Sequence, residues 1–464
     1  MLLPFLSAIL GIIAFLPVNF YPAGFVFLVP LFIFFLREQK FWRLIFGAAI
    51  FRLVFGLGTG YYTLEPIFWT SSLLIFLGLP ASVFIVKKLT NFFSAKYLIP
   101  LSGHPLLFSL PFLWTFFDHL EARYSLLPTY IITVGNIFGS SPFLGLANFG
   151  GIVPLTFFAA IINFLIAAII IKFFKTKFVP IAIIFIFIFL GWQISNFELK
   201  KNSSDYNGLS NSLKLAVVSV NEKFTAGQFD SLKKELAAER VDLAVFPEDI
   251  IDSPAGKSFF LAQNTAQELK TNLLAAFDTT HDGARYNSVV LFDKEGNIIA
   301  QRDKNRLTFI GEYWPFGNWR PLFYDWLKKF DPSIADYAIF SPQNAYRQGE
   351  RKLLSVSSPQ GQVSFAAPIC LEINYPGDLA EYKKSGAKFI VNPSSGRWIK
   401  KGVKHFLYLT NNLKKIESVW LKIPIISSGV NDYAGVILPD SETRLVDYEN
   451  GEKNYGIFRG EIRY

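Results

Sequence analysis

Seven apolar stretches crowd the first 196 residues of this 464-residue chain, at 2–16, 25–36, 44–58, 67–86, 106–117, 152–171 and 179–194. A bilayer-spanning helix needs roughly 20 predominantly apolar residues. The runs at 161–171 and 181–190 are almost uninterrupted, as soluble core helices rarely are. Residues 1–196 are therefore expected to form a polytopic α-helical membrane domain of about seven helices. The first two stretches are short and Pro-flanked, so a shallow hairpin is the alternative for them. Stretch 2–16 has neither a basic n-region nor a small-x-small cleavage site, which argues against a cleaved signal peptide.

Charge is distributed as unevenly as hydropathy. The first 196 residues hold 11 Lys/Arg against 4 Asp/Glu, and the remainder holds 34 against 32. Most of the formal charge of +9 thus belongs to the apolar half, where it speaks of topology and not of nucleic acid. Basic residues fall in alternate loops: Arg37, Lys40 and Arg43; Lys87, Lys88 and Lys96; Lys172, Lys175 and Lys177. The positive-inside rule places these loops in the cytoplasm, so the last apolar stretch carries everything after it to the extracytoplasmic side. Arg52 lies inside an apolar stretch; a charge there is a functional group or snorkels to the interface. The segment 118–151 holds Pro128, Gly135, Gly139, Pro142 and Gly145 and is expected to be an irregular segment that lies on or dips into the outer face.

Residues 197–212 are polar with Gly and Ser and read as a linker. From 213 to 464 short apolar runs alternate with amphipathic ones: strands are expected at 213–220, 243–246, 273–277, 288–292, 298–300, 353–356, 363–369, 389–391 and 425–428, and helices at 228–240 and 403–421. The expectation is an α/β domain.

Its candidate nucleophile is Cys370, the only cysteine, placed between the apolar run ending at Ile369 and a helix opening near Tyr375-Pro376. A strand that turns abruptly can present a side chain at the sheet edge. A thiol needs a base and its acyl chemistry needs a cation for the oxyanion. Phe246-Pro247-Glu248 ends a strand with a carboxylate, and Arg302-Asp303-Lys304 follows another with cations. Taken singly, Cys370 is equally a small buried hydrophobe and Lys304 a solvated surface group. Four scattered histidines and one cysteine make zinc improbable, and no Gly-rich phosphate loop is present, so no metal or cofactor is expected. His281 and His405 have no spacing that favours a Cys-His dyad.

In combination, Phe246-Pro247-Glu248, Tyr286-Asn287-Ser288-Val289-Val290-Leu291-Phe292, Lys304 with Gly311-Glu312-Tyr313-Trp314-Pro315 eight residues on, and Ile369-Cys370-Leu371-Glu372 occur in the order of the nitrilase (carbon–nitrogen hydrolase) superfamily. Behind a multi-span domain with Trp114, Glu121, Arg123 and Ala147-Asn148-Phe149-Gly150-Gly151, the chain resembles the apolipoprotein N-acyltransferase family in particular. The resemblance implies a four-layer α-β-β-α sandwich at 213–464, with Glu248 as general base, Lys304 as oxyanion cation, Cys370 as nucleophile and Glu312 orienting Lys304. Tyr313, Glu372 and Trp398 are implied near the substrate. Segment 118–151 and the aromatics Tyr313 to Trp319, with Trp326, read either as walls or lids for acyl chains or as anchors at the interface. It further implies a monomer in a bacterial inner membrane, with a phospholipid acyl donor and a diacylglyceryl apolipoprotein acceptor.

Departures from the family pattern are Leu371 after the nucleophile, where the family commonly has Tyr, and Asn392-Pro393-Ser394-Ser395-Gly396-Arg397-Trp398 after the next strand. The family's Gly-Phe-Pro-Trp has no counterpart in 126–137, and its C-terminal membrane helix none before a polar tail at 449–464. Two other readings stay open on the residues: a membrane-tethered amidase in which water resolves the thioester, and an inactive lipoprotein-binding scaffold.

Overall fold

The computed structural model describes residues 1–18, 20–60, 73–97, 105–125, 130–171, 178–251, 257–308, 312–313, 329, 345–397, 403–446 and 453–464. Lys172, Lys175, Lys177, Trp314 to Trp319, Trp326 and Trp398, with part of the apolar stretch at 67–86, lie outside them. The chain forms two compact units.

The first unit comprises Met1–Ser204 together with Ile399–Lys422 and Pro439–Ser441. Its apolar helices are α1 (Leu2–Ala14), α2 (Val29–Arg37), α3 (Phe41–Gly60), α4 (Leu73–Phe76), α5 (Gly78–Tyr97), α6 (Pro105–Tyr124), α7 (Ile152–Ile170) and α8 (Phe178–Asn207). Phe41–Gly60, Leu73–Phe92, Ile152–Ile170 and Phe178–Asn207 are long and apolar enough to cross a membrane. In α8, Phe178, Phe185, Ile186, Phe189 and Leu190 are exposed. An apolar face of that size is stable only against lipid or a partner surface. Lys87 of α5 donates to the carbonyl oxygens of Leu36 and Glu38, so the first two basic segments share one end of the helices.

Arg52 does not snorkel. It is 2% exposed, and its Nε donates to Glu121 Oε1 of α6 at 2.5 Å. Two opposite charges facing one another inside an apolar bundle replace the water that either alone would need.

Most of the described residues of segment 118–151 are buried. Three 3₁₀ turns, Tyr130–Ile132, Val134–Ser140 and Leu144–Phe149, are largely buried against α12 (Val403–Leu421). Asn136 Nδ2 donates to Leu409 O at 3.0 Å, and Asn412 Nδ2 donates back to Asn136 O at 3.2 Å. Gly139 is the point of closest approach: a Cβ there would lie 2.6 Å from the Asn412 carbonyl oxygen. The glycines that discourage a regular helix therefore serve to bring backbone against backbone.

The expected linker at 197–212 is mostly helical, because α8 runs on to Asn207. Asn202 donates to the carbonyls of Val419 and Pro439, and Tyr206 is buried in the core of the second unit. Those tertiary contacts hold a polar stretch helical that its composition reads as loop. The expected boundary at 213 is also not linear, since α12 groups with the apolar helices.

The second unit contains two six-stranded arrangements. One runs β12-β1-β2-β3-β4-β5, from β1 (Ser212–Val220), β2 (Leu243–Glu248), β3 (Asn272–His281), β4 (Ala284–Phe292), β5 (Ile298–Asp303) and β12 (Tyr455–Arg463). The other runs β6-β7-β8-β9-β10-β11, from β6 (Leu354–Ser358), β7 (Gly361–Phe365), β8 (Ile390–Ser395), β9 (Ile425–Val430), β10 (Ala434–Ile437) and β11 (Thr443–Val446), with β7 leading to β8 through the bridge Ala366 to Ile390. The pairing of Val220 with Val430 joins them. Strand alternation supplies two cores. Leu213, Leu215, Val217, Leu243 and Val245 face Val356, Phe365, Val391 and Ile426 between the sheets. Ala216, Val218, Ala244 and Phe246 face the helices α9 (Ala226–Leu236) and α10 (Lys257–Leu269). This is the nitrilase-like α/β architecture.

The polar tail read at 449–464 is a strand over most of its length. β12 pairs antiparallel with the whole of β1, from Ser212 with Arg463 to Val220 with Tyr455. Gly456 and Gly460 dilute its apolar pattern, and its partner lies some 240 residues away in sequence, so local periodicity carries no sign of it.

Candidate active site

β2 ends on Glu248 and β5 ends one residue before Lys304. β3 is parallel to β2, β4 antiparallel to β3, and β5 antiparallel to β4. Two reversals make β5 parallel to β2, so both side chains emerge at the same sheet edge. Lys304 N donates to Asn287 O at 2.8 Å, which continues the ladder one residue past the strand.

Cys370 follows β7 and the Ala366 bridge and opens a short 3₁₀ turn, Cys370–Asn374, that leads into α11 (Pro376–Lys384). Its φ is +51°, a left-handed conformation rare for a residue with a side chain. Asn392 Nδ2 braces the turn by donating to Pro368 O at 2.9 Å and Cys370 O at 3.1 Å. Strain of this kind costs about 1–3 kcal/mol and persists where the surroundings over-determine it.

Glu248, Lys304 and Glu312 are 7%, 1% and 8% exposed. Lys304 Nζ donates to Glu312 Oε1 at 2.8 Å. Glu312 Oε2 in turn accepts Thr308 N at 2.7 Å. Asn287, on β4, donates through Nδ2 to Glu248 Oε1 at 2.6 Å and to Glu312 Oε1 at 2.8 Å. Its Oδ1 accepts no hydrogen bond among the described residues, so the two carboxylates alone orient the amide.

Burial raises the pKa of Glu248; Glu312 adds to the rise, while Lys304, Asn287 and the Cys370 thiol favour its ionised form. Burial acts downward on Lys304, but Glu312, Glu248 and Cys370 outweigh it, so the ammonium stays charged. Burial, with Glu248 next, pushes the Cys370 thiol up to about 12. The resting site is a thiol, an ammonium and a carboxylate of enhanced basicity, so the thiol proton leaves only as the sulfur attacks.

The structure therefore brings together Glu248, Lys304, Glu312 and Cys370. Glu372 is oriented differently from its expected place at the substrate: it is 4% exposed and its carboxylate is occupied by Arg302 and three backbone N–H groups. Tyr313, next in sequence to Glu312, is half-buried, and Trp398 lies outside the described residues. His281 stacks on Tyr286 and pairs with Asp303 at 3.2 Å, so its ring is engaged there and not in a dyad with Cys370. Asn287 was given no role by sequence reasoning; its signals are its place in the Tyr286–Phe292 motif and an amide opening the apolar run 288–292.

A sandwich of this topology with Glu, Lys and Cys at one edge defines a carbon–nitrogen hydrolase domain, and a family model described as carbon-nitrogen hydrolase matches residues 216–412. A second model, the apolipoprotein N-acyltransferase N-terminal domain, matches residues 7–165. Matched in this order along one chain, the two models support an apolipoprotein N-acyltransferase of the nitrilase superfamily. Among curated relatives, the apolipoprotein N-acyltransferase of Haemophilus influenzae is 24% identical over 309 residues, 62% of this chain and 56% of the relative. That of Agrobacterium fabrum is 28% identical over 218 residues, 43% and 36%. Apolipoprotein N-acyltransferase 2 of Treponema denticola is 26% identical over 161 residues, 34% and 28%. The chain thus spans about a quarter to a little over half of the length of these relatives. Among solved structures, Saccharomyces cerevisiae Nit3 aligns at 15% identity and a TM-score of 0.37, covering 55% of this chain and 91% of that one. An amidase from Nesterenkonia sp. aligns at 14% and 0.37, covering 55% and 93%.

Proposed function

We propose that the protein is a membrane acyltransferase that moves an acyl chain from a phospholipid, through a thioester on Cys370, to the N-terminal amine of a diacylglyceryl-cysteine lipoprotein. The observation that carries this reading is the convergence of Cys370, Glu248 and Lys304 at one edge of a carbon–nitrogen hydrolase fold, in a chain that also carries apolar membrane helices. Cys370 Sγ attacks the ester carbonyl as Glu248 takes the thiol proton. Lys304 meets the oxyanion, and Glu312 and Asn287 keep both groups aligned. Glu248 returns the proton to the departing lysophospholipid alcohol, leaving the thioester. The acceptor amine then attacks, Glu248 takes its proton, and the thiolate leaves and is reprotonated as the amide forms.

The membrane tether fits this chemistry. Drawing a chain of about 16 carbons fully into water costs on the order of 12 kcal/mol at about 0.8 per CH₂, so the nucleophile must meet its donor at the bilayer surface. The shared end of the first two basic segments supports a common, cytoplasmic side for those loops; the sandwich is placed on the extracytoplasmic side by the charge pattern of the sequence.

The test is intact mass of purified protein incubated with phosphatidylethanolamine, for wild type and Cys370→Ala, followed by a diacylated lipopeptide. A hydroxylamine-sensitive adduct on wild type alone, discharged onto the peptide amine, is expected. Discharge to water alone would replace this reading with an amidase, and no adduct with any donor would replace it with a scaffold.

A further inference from the structure

Arg302 lies on β5 two residues before Lys304, and it is 1% exposed. Its Nη1 donates to Glu372 Oε2 at 2.7 Å and to Ala367 O at 2.9 Å, and its Nη2 donates to Glu372 Oε1 at 2.8 Å. The guanidinium also lies over the Tyr382 ring, 5.6 Å from its centre. Glu372 uses its remaining capacity on backbone: Oε2 accepts Ile369 N at 2.7 Å, and Oε1 accepts Asn305 N at 2.7 Å and Arg306 N at 3.0 Å.

The pair therefore grips the chain in two places. Ala367 and Ile369 lead directly into Cys370, and Asn305 and Arg306 follow Lys304. No other ion pair among the described residues takes hold of both segments. A planar fork on a carboxylate fixes angle as well as distance, which a single ammonium cannot do. The strained φ of Cys370 supplies the reason for such a brace, since a left-handed nucleophile relaxes, and its sulfur moves, if the preceding peptides rotate.

We propose that Arg302, locked on Glu372, is a positioning residue that sets the separation and angle between the Cys370 thiol and the Lys304 ammonium without touching substrate. This rests on Cys370 being the nucleophile. A pair that served stability alone would leave thiol reactivity unchanged in any variant that still folds.

The experiment compares wild type, Arg302→Lys and Arg302→Gln in detergent, with folding followed by circular dichroism. The readouts are the pH profile of Cys370 alkylation by iodoacetamide and the kinetics of acyl-adduct formation from a p-nitrophenyl ester. Expected are an alkylation rate about tenfold lower at neutral pH in Arg302→Lys, a profile displaced to higher pH as Lys304 loses its hold on the thiolate, and a fall in kcat with KM little changed. Arg302→Gln should be worse than Arg302→Lys. A folded Arg302→Lys with the wild-type profile and kcat would overturn the proposal, as would loss of fold in both variants, which assigns the pair to stability. Failure of wild-type Cys370 to be alkylated or acylated would instead remove the nucleophile reading on which it stands.

Discussion

Replacing Asn287 by alanine removes one donor that serves two buried carboxylates, at 2.6 Å to Glu248 and 2.8 Å to Glu312. A hydrogen bond to a charged group is worth about 1.5–3 kcal/mol. Because the Asn287 amide favours the ionised form of Glu248, its loss raises that pKa further. Glu248 must be ionised to accept the thiol proton, so the acid limb of the pH–rate profile for Cys370 acylation should move to higher pH. At neutral pH the rate should fall by about tenfold or more. The assay is intact-mass detection of the acyl adduct against time across pH, for wild type, Asn287→Ala and Asn287→Asp. The aspartate keeps the size but puts a third carboxylate beside Lys304, and should be slower than alanine. An acid limb that stays where the wild type has it, or moves downward, would refute the assignment of Asn287 as the group that tunes the base.

Arg52→Met should lower stability by about 3–5 kcal/mol because it strands Glu121 in an apolar bundle, and Arg52→Met/Glu121→Leu should recover most of it; chemical denaturation in detergent measures both. Gly139→Val would drive a Cβ to 2.6 Å from the Asn412 backbone oxygen and should cost about 1–3 kcal/mol or more, read as a drop in Tm. Glu372 is lowered in the fold: burial acts upward on it, but Arg302 and the backbone donors outweigh that. A depressed folded value means that its contribution is present above the unfolded pKa of about 4.3 and is lost as pH falls through the folded one. Acid unfolding of Glu372→Gln should accordingly show a shallower loss over that window than wild type.

Local chemistry carried much of the reading. Each apolar stretch is contiguous, so the helices α3, α7 and α8 announce themselves by length and hydropathy alone. The alternation in Leu213 to Val220 and the apolar run before Glu248 predict β1 and β2 because a half-buried or buried strand needs only near neighbours to be recognised. The strand β12 did not announce itself, since glycines and charges suit an element whose burial comes from β1. The same holds for the end of α8, where Asn202 and Tyr206 are polar or aromatic by sequence and buried by contact. Glu372 shows the limit at the site: its place two residues after Cys370 suggests the substrate, while its five hydrogen bonds turn it toward Arg302 and the backbone.

By itself, the sequence determined what is written in contiguous residues: an apolar helical half, an α/β half, and the identities of a thiol, a base and a cation in order along the chain. Only the tertiary structure decided what depends on residues far apart. It made β5 parallel to β2 so that Lys304 meets Glu248, bent Cys370 into a left-handed turn beside them, and set Asn287 between two carboxylates. It also grouped α12 with the apolar helices. The physical reason is that hydropathy and propensity act over a few residues, whereas distance, burial and pKa are properties of the neighbours that folding supplies.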